Sequence, residues 1–222
     1  MGGIGTFGLS HLVFDMDGTL IDSTRGWREA LEGAALDFGG VLDEGLVNTI
    51  RTTAPRGIAE YIAVRFAPAA GAEAVLSRIC CRVGDFYRRG VALRPGVREA
   101  LDAFRAQGCV CWLLTGTERA QAEIVLDQLD LKRCFQRVLT CTEAGGPKTG
   151  PEPFHFVADE LGVGTEELVV FDDLLPYLKA ARACGCRTVA VYDAPGEPDL
   201  SALRQVSDRI LWDWRELPAT FL

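Results

Sequence analysis

Four apolar runs without alternation constrain this chain most: Leu12-Val13-Phe14, Val110 to Leu114, Leu168 to Phe171 and Thr188 to Tyr192. A strand wetted on one side alternates apolar with polar residues. Unbroken hydrophobicity is expected where a sheet is covered on both faces, as parallel sheets are. Arg137 to Thr140 is a weaker candidate strand. Helical patterns separate the runs. Val97, Leu101 and Phe104 recur at helical spacing, with Pro95 ahead of them and Gly108 to close the helix. Phe154 to Leu161 and Leu174 to Cys184 also read as helices, the latter stopped by Gly185. Strands alternating with helices predict an α/β fold with a doubly wound parallel sheet.

One stretch breaks this alternation. Between Ser23 and Gly90 the chain shows helical patterns and no clear strand: Trp27 to Phe38, Leu46 to Arg51, Ile58 to Phe66 and Val75 to Tyr87. The pattern predicts an inserted α-helical cap over residues 23–91, with a core built from residues 1–22 and 92–222. Arg89-Gly90 through Leu93-Arg94-Pro95-Gly96 would be the return hinge. A chain of 222 residues that is 48% hydrophobic can bury one substantial core and carry such an addition.

The formal net charge of -8 argues against nucleic acid or an anionic membrane as partner, since either needs a basic face. It leaves room for a small anionic substrate, because a local cation can reverse the field in one pocket. No apolar run reaches the length of a membrane span, and Met1 to Gly8 lacks the pattern of a secretory signal. Gly2 with Thr6 fits a myristoylation pattern formally, but a flexible lead is the preferred reading. The eight cysteines fall mostly in or beside apolar segments. They read as reduced thiols of a cytoplasmic protein, and the Cys109/Cys111 and Cys184/Cys186 spacings do not suit zinc. No obligate protein partner is evident.

Chemistry concentrates directly after the strands. Asp15-Met16-Asp17-Gly18-Thr19 follows the first, Thr115-Gly116-Thr117 the second, Gly145-Gly146-Pro147-Lys148 the weak one and Asp172-Asp173 the next. Carboxyl ends of parallel strands share one edge, where ligands bind. Carboxylates gathered there repel one another and need a hard cation. An oxygen donor set without histidine or thiol favours Mg2+. Lys148, the Thr115 hydroxyl and backbone amides after Asp15 and Thr115 would neutralise a phosphate dianion. A carboxylate can then attack phosphorus.

These residues together resemble the haloacid dehalogenase superfamily. Phe14-Asp15-Met16-Asp17-Gly18-Thr19-Leu20-Ile21-Asp22-Ser23 is similar to its first motif and Thr115-Gly116 to its second. Lys148 with Pro151 and Phe154 matches the third, although Thr149 stands where many members have proline. Val169-Val170-Phe171-Asp172-Asp173 matches the fourth. The resemblance implies Asp15 as nucleophile and Asp17 as the acid that protonates the leaving oxygen and then the base that activates water. Asp15, the Asp17 carbonyl and Asp173 would hold Mg2+, with Asp172 direct or through water. Met16, Thr115 and Gly116 would bind phosphate, and Lys148 would pair with nucleophile and phosphate.

Within the family, the Asp172-Asp173 pair and the helical cap resemble β-phosphoglucomutase and the phosphoglycolate and sugar-phosphate phosphatases. Tyr177 stands where many relatives have a further acid, and Trp27 where the mutases have histidine. Asp17 favours phosphate chemistry over dehalogenation. The expected function is a magnesium-dependent phosphatase acting on a small phosphorylated metabolite through an aspartyl phosphate. The alternatives are a phosphomutase and a catalytically silent binder of a phosphorylated ligand. Arg56, in the Ala54-Pro55-Arg56-Gly57 stretch of the cap, is a candidate substrate contact. Thr115 has a second reading as the cap of a helix starting near Glu118. His11, His155 and the four tryptophans read as structural or packing residues.

Overall fold

The computed structural model describes residues 11–42, 55–194 and 199–217. The N-terminal lead and the helix expected over Leu46 to Arg51 lie outside them. All four apolar runs are strands, and so is the weak candidate: β1 (His11–Phe14), β2 (Val110–Thr115), β3 (Arg137–Thr140), β4 (Leu168–Asp172) and β5 (Arg187–Val191). A short β6 (Arg209–Leu211) completes a six-stranded sheet of order β3-β2-β1-β4-β5-β6 with every pairing parallel. The order reverses at β1, so a crevice opens at the carboxyl ends of β1 and its neighbours.

Both sheet faces are covered, as the apolar runs require. Leu12 and Phe14 point to one side with Val97, Leu101 and Phe104 of α4 (Val97–Ala106) and Val125 of α5 (Arg119–Gln128). Val13 points to the other, with Phe154 and Val157 of α6 (Glu152–Leu161) and Ala181 of α7 (Leu175–Ala183). Phe14 and Phe171 face each other across β1 and β4, with ring centroids 4.8 Å apart, and Trp214 stacks on Phe171 at 5.7 Å. Trp214 also donates its indole N–H to the Thr19 carbonyl at 3.0 Å, so this tryptophan braces the loop after β1 as well as packing. The helix α8 (Leu200–Val206) precedes β6.

The insertion is helical as expected, with α1 (Thr24–Asp37), α2 (Pro55–Phe66) and α3 (Gly71–Arg88). Val75, Ile79, Val83 and Tyr87 are buried at four-residue spacing, a stripe that binds α3 to its neighbours. α3 packs against α1 and α2 and also against core helix α5, where Gln121 Nε2 donates to the Cys80 carbonyl at 3.3 Å. The two connections between cap and core run side by side. The Asp22 amide donates to the Ala92 carbonyl at 3.0 Å and the Arg94 amide to the Leu20 carbonyl at 2.9 Å. Asp193, after β5, ties both down, accepting from Thr24 Oγ1 at 2.6 Å and from the Arg94 guanidinium at 3.0 Å. None of the eight cysteines forms a disulfide. No described helix is long and apolar enough to cross a membrane.

Candidate active site

Strand ends deliver the expected groups to one place. Asp15 is the first residue past β1, and its amide donates to the Phe171 carbonyl at 2.9 Å, which holds it beside β4. Asp172 ends β4 and Asp173 follows it. Carboxylate oxygens of Asp15, Asp172 and Asp173 lie within 4.8 Å of one another. Lys148 reaches in from the loop after β3, its side chain fully buried. It donates to Asp15 Oδ1 at 2.5 Å and to Asp172 Oδ2 at 2.6 Å, and its ammonium sits 4.8 Å from the Tyr177 ring centroid.

Three clustered carboxylates against one ammonium leave two positive charges missing. The strain shows in the ionisation of the groups. Burial pushes the Asp15 carboxyl up to about 7, with Lys148 pulling it down less than burial raises it and Asp172 and Asp17 pushing further up. Asp173 is held well above the usual carboxylate range by burial first, then by Asp172 and Asp15. Burial works against the charge on Lys148, yet Asp15 and Asp172 outweigh it and keep the amine protonated well above its ordinary value. A buried, all-oxygen cluster short of two positive charges fits a hard divalent cation.

The turn after β1 shapes this pocket. Met16 is fully buried, and its carbonyl accepts the amides of Leu20 and Ile21 at 2.9 and 3.1 Å. Gly18 has φ +77°, and a Cβ there would lie 2.5 Å from Asp173 Oδ2. Glycine is required twice over, for the left-handed backbone and for the approach of Asp173. Gly18→Ala is expected to cut turnover at least tenfold and to destabilise the fold by about 1–3 kcal/mol. Assay and thermal melt of one preparation check both, and an unchanged rate would contradict this geometry. Thr19 Oγ1 donates to Asp173 Oδ1 at 3.0 Å and fixes that carboxylate.

Thr115 ends β2 and is fully buried. Its hydroxyl accepts the Thr117 amide at 3.0 Å, closing the turn; the residue before α5 is Glu118, so Thr115 does not cap that helix. A Cβ on Gly116 would meet nothing within 4 Å, so the backbone there borders open space suited to a ligand. Asp17 is half-buried and engaged on both oxygens. Ser23 Oγ and Tyr87 Oη donate to Oδ1 at 2.7 and 2.5 Å, and Thr117 Oγ1 donates to Oδ2 at 2.7 Å.

The structure thus brings Asp15, Asp17, Thr115, Lys148, Asp172 and Asp173 to one edge of the sheet. Arg56 is the exception: its exposed guanidinium pairs with Glu73 inside the cap at 2.7 Å, although Glu118 lies within range of its field. Sequence reasoning left Tyr87, Ser23, Thr117 and Thr19 without roles. Ser23 and Thr19 stand inside the first motif and Thr117 beside the second. Tyr87 had one signal, a hydroxyl ending the four-residue apolar stripe of α3. Trp27, read as a packing residue, donates its indole N–H to Tyr87 Oη at 3.0 Å.

Comparison with known proteins agrees with this geometry. The family model "haloacid dehalogenase-like hydrolase" matches residues 9–185. Phosphoglycolate phosphatase of Salmonella typhimurium is 26% identical over 201 residues, 81% of this chain and 80% of that protein. Its counterpart in Escherichia coli K12 is 25% identical over the same extent. Among solved structures, a putative β-phosphoglucomutase from Thermotoga maritima superposes with a TM-score of 0.70 at 25% identity, covering 91% of this chain and 94% of that one. CbbY from Rhodobacter sphaeroides, in complex with phosphate, superposes with a TM-score of 0.80 at 21% identity, covering 94% and 96%, and shares the fold. With four motifs converging on one carboxylate cluster under a helical cap, this chain belongs to the haloacid dehalogenase-like hydrolase family and is one of its phosphatases.

Proposed function

We propose that the enzyme hydrolyses a small phosphomonoester, of the phosphoglycolate or sugar-phosphate class, with Mg2+ and through an aspartyl phosphate on Asp15. The observation that carries this is the buried Asp15–Lys148–Asp172–Asp173 cluster, two positive charges short and assembled from three strand ends. The substrate class rests on the phosphoglycolate phosphatases that match along most of the chain.

Asp15, Asp173 and the Asp17 carbonyl would hold the magnesium. Asp172 has one oxygen on Lys148 and the other on the Leu174 amide at 2.9 Å, which suits it to steadying the lysine. Bound magnesium supplies the charge that lets a carboxylate approach a phosphate dianion. The remaining work falls to the chain. Lys148 has a third N–H for a phosphate oxygen, and the Thr115 hydroxyl with the amides of Met16 and Gly116 would orient the others. Lys148 occupies Asp15 Oδ1, leaving Oδ2 to attack. The new bond from Asp15 to phosphorus forms as the ester P–O bond breaks, and Asp17 gives its proton to the leaving oxygen. Water then attacks phosphorus, Asp17 takes back a proton, and inorganic phosphate leaves with Asp15 restored.

The cap, taken as residues 23–91 on a core of 1–22 and 92–222, would open to admit substrate and close to exclude water. The pairing of Asp22 with Ala92 and of Leu20 with Arg94 supports those bounds. Arg56 is retained as a candidate substrate contact from the cap, where its exposed guanidinium pairs with Glu73. A cytoplasmic location suits eight cysteines outside any disulfide.

Phosphate release across a panel of phosphorylated metabolites, with Mg2+ or with a chelator, tests the reading. Release from a phosphoglycolate or sugar-phosphate substrate that stops with the chelator is expected; isomer exchange primed by a bisphosphorylated sugar without phosphate release would instead make it a mutase. Trp27 at the place of the mutase histidine favours hydrolysis. Binding offers a second check. Mg2+ at about 100 times its Kd is expected to add about 2.7 kcal/mol, raising the melting temperature by about 5–10 °C. The folded Asp15 carboxyl titrates near 7 against an ordinary 3.8, so between those values the metal-free fold holds more protons than the unfolded chain. Its stability therefore falls as pH rises through that window. Protons and metal compete, so the shift should be larger at about pH 8 than at about pH 5.5. Equal shifts at both would contradict a site built on these carboxylates.

A further inference from the structure

Among the described hydrogen bonds, the cap reaches the proposed catalytic carboxylates through Ser23, at its junction with the core, and through one atom of its helical body, the Tyr87 hydroxyl. Tyr87 belongs to α3, is fully buried, and donates to Asp17 Oδ1 at 2.5 Å. A phenol carries one proton. Trp27 Nε1 donates to Tyr87 Oη at 3.0 Å, filling an acceptor position and directing that proton onto Asp17. Thr117 Oγ1, at 3.5 Å, is a weak competitor, and its own proton goes to Asp17 Oδ2. A phenol, with an ordinary pKa of about 10, carries its proton at neutral pH and can donate it there. The other two donors to Asp17, Ser23 and Thr117, come from the cap junction and the loop after β2. Because α3 carries Tyr87, movement of that helix off the core withdraws the hydroxyl from Asp17.

We propose that Tyr87 is a positioning residue for the Asp17 acid–base step, with Trp27 aiming its hydroxyl, so that Asp17 is fully oriented only when the cap rests on the core. The inference deepens the proposed function and rests on Asp17 as the group that protonates the leaving oxygen. Productive proton transfer needs the carboxyl within hydrogen-bond reach of that oxygen, and a displacement of about 1 Å costs on the order of 10²-fold. Ser23 alone would hold Oδ1 by a single bond when α3 moves away. Alignment then arrives with closure, at the moment substrate is enclosed.

The test compares two esters on the full-length enzyme with Mg2+: an alkyl phosphate the enzyme turns over, and p-nitrophenyl phosphate. The alkoxide needs a proton to leave and the nitrophenolate does not, while kcat/KM reports the steps through phosphoryl transfer to Asp15. Asp17→Asn should lower kcat/KM on the alkyl ester by about 10²–10³-fold and on the aryl ester far less. Tyr87→Phe should lose about 10–100-fold on the alkyl ester, carried by kcat with KM nearly unchanged, and less than about threefold on the aryl ester. Placed on Asp17→Asn, it should add no further loss. Trp27→Phe should move in the same direction by less, and have no effect on top of Tyr87→Phe; it carries the same comparison if Tyr87→Phe folds poorly. Equal losses on both esters for Tyr87→Phe and Trp27→Phe, or full additivity with Asp17→Asn, would overturn the proposal and mark these residues as packing. If Asp17→Asn itself separates the esters, such a result sinks the Tyr87 inference alone. If Asp17→Asn lowers both alike, the acid assignment falls and the inference with it.

Discussion

Replacing Asp15 by asparagine is expected to reduce phosphate release by at least about 10⁴-fold, with the fold intact. Removing a covalent nucleophile takes away a whole reaction route, and losses in the range of 10⁴–10⁶ are typical of such groups. The asparagine amide keeps the shape of the side chain and leaves Lys148 its second partner, Asp172. It also removes one of three crowded negative charges. Because burial pushes the Asp15 carboxyl up to about 7, the ionised form is a burden on the metal-free fold above that pH. The variant should therefore melt at or above the wild-type temperature at about pH 8 without metal. Turnover within tenfold of wild type would remove Asp15 from the mechanism, and a lower melting temperature would contradict the electrostatic account of the cluster.

Lys148→Met should have the next largest effect, and it should strike activity and stability together. Lys148 is a single buried ammonium between Asp15 and Asp172. Methionine fills much of the same volume and returns none of the charge. Loss of a charged donor aimed at the transferring phosphoryl group costs about 10²–10³-fold in turnover. Breaking a buried ion pair by deleting one member costs about 3–5 kcal/mol, because the orphaned carboxylates remain in place. The stability loss should shrink as pH falls and protons neutralise Asp15, and shrink again when Mg2+ is added. Melting curves at two pH values, with and without metal, measure this directly. A loss independent of both would mean that Lys148 contributes by packing.

Much of the core was legible because its chemistry is local. A strand buried on both faces must be apolar throughout, so Leu12 to Phe14 and Leu168 to Phe171 announced themselves. A glycine at Gly18, between two aspartates and Thr19, likewise marks a tight turn whose carboxylates cannot disperse. The edge strand β6 escaped notice because Arg209–Leu211 is three residues long and begins with arginine. For Thr115, read as a phosphate contact with helix capping as a second reading, one hydroxyl after a strand serves a turn or a helix equally well in sequence; in the fold it accepts the Thr117 amide, and the residue at the cap position of α5 is Glu118. Arg56 was expected near substrate and was found paired with Glu73 on the surface of the cap.

The sequence by itself determined the parallel sheet, the inserted helices and the carboxylates that end the strands. Those features follow from hydrophobic periodicity and from short-range backbone geometry, which neighbouring residues dictate. Only the tertiary structure decided which partners those carboxylates take. Lys148 bridges Asp15 and Asp172 from 133 and 24 residues away, and Tyr87 reaches Asp17 across 70. Such pairings depend on how the cap settles on the core and on which buried donor must find an acceptor there. No single helix or strand contains both members of any of them.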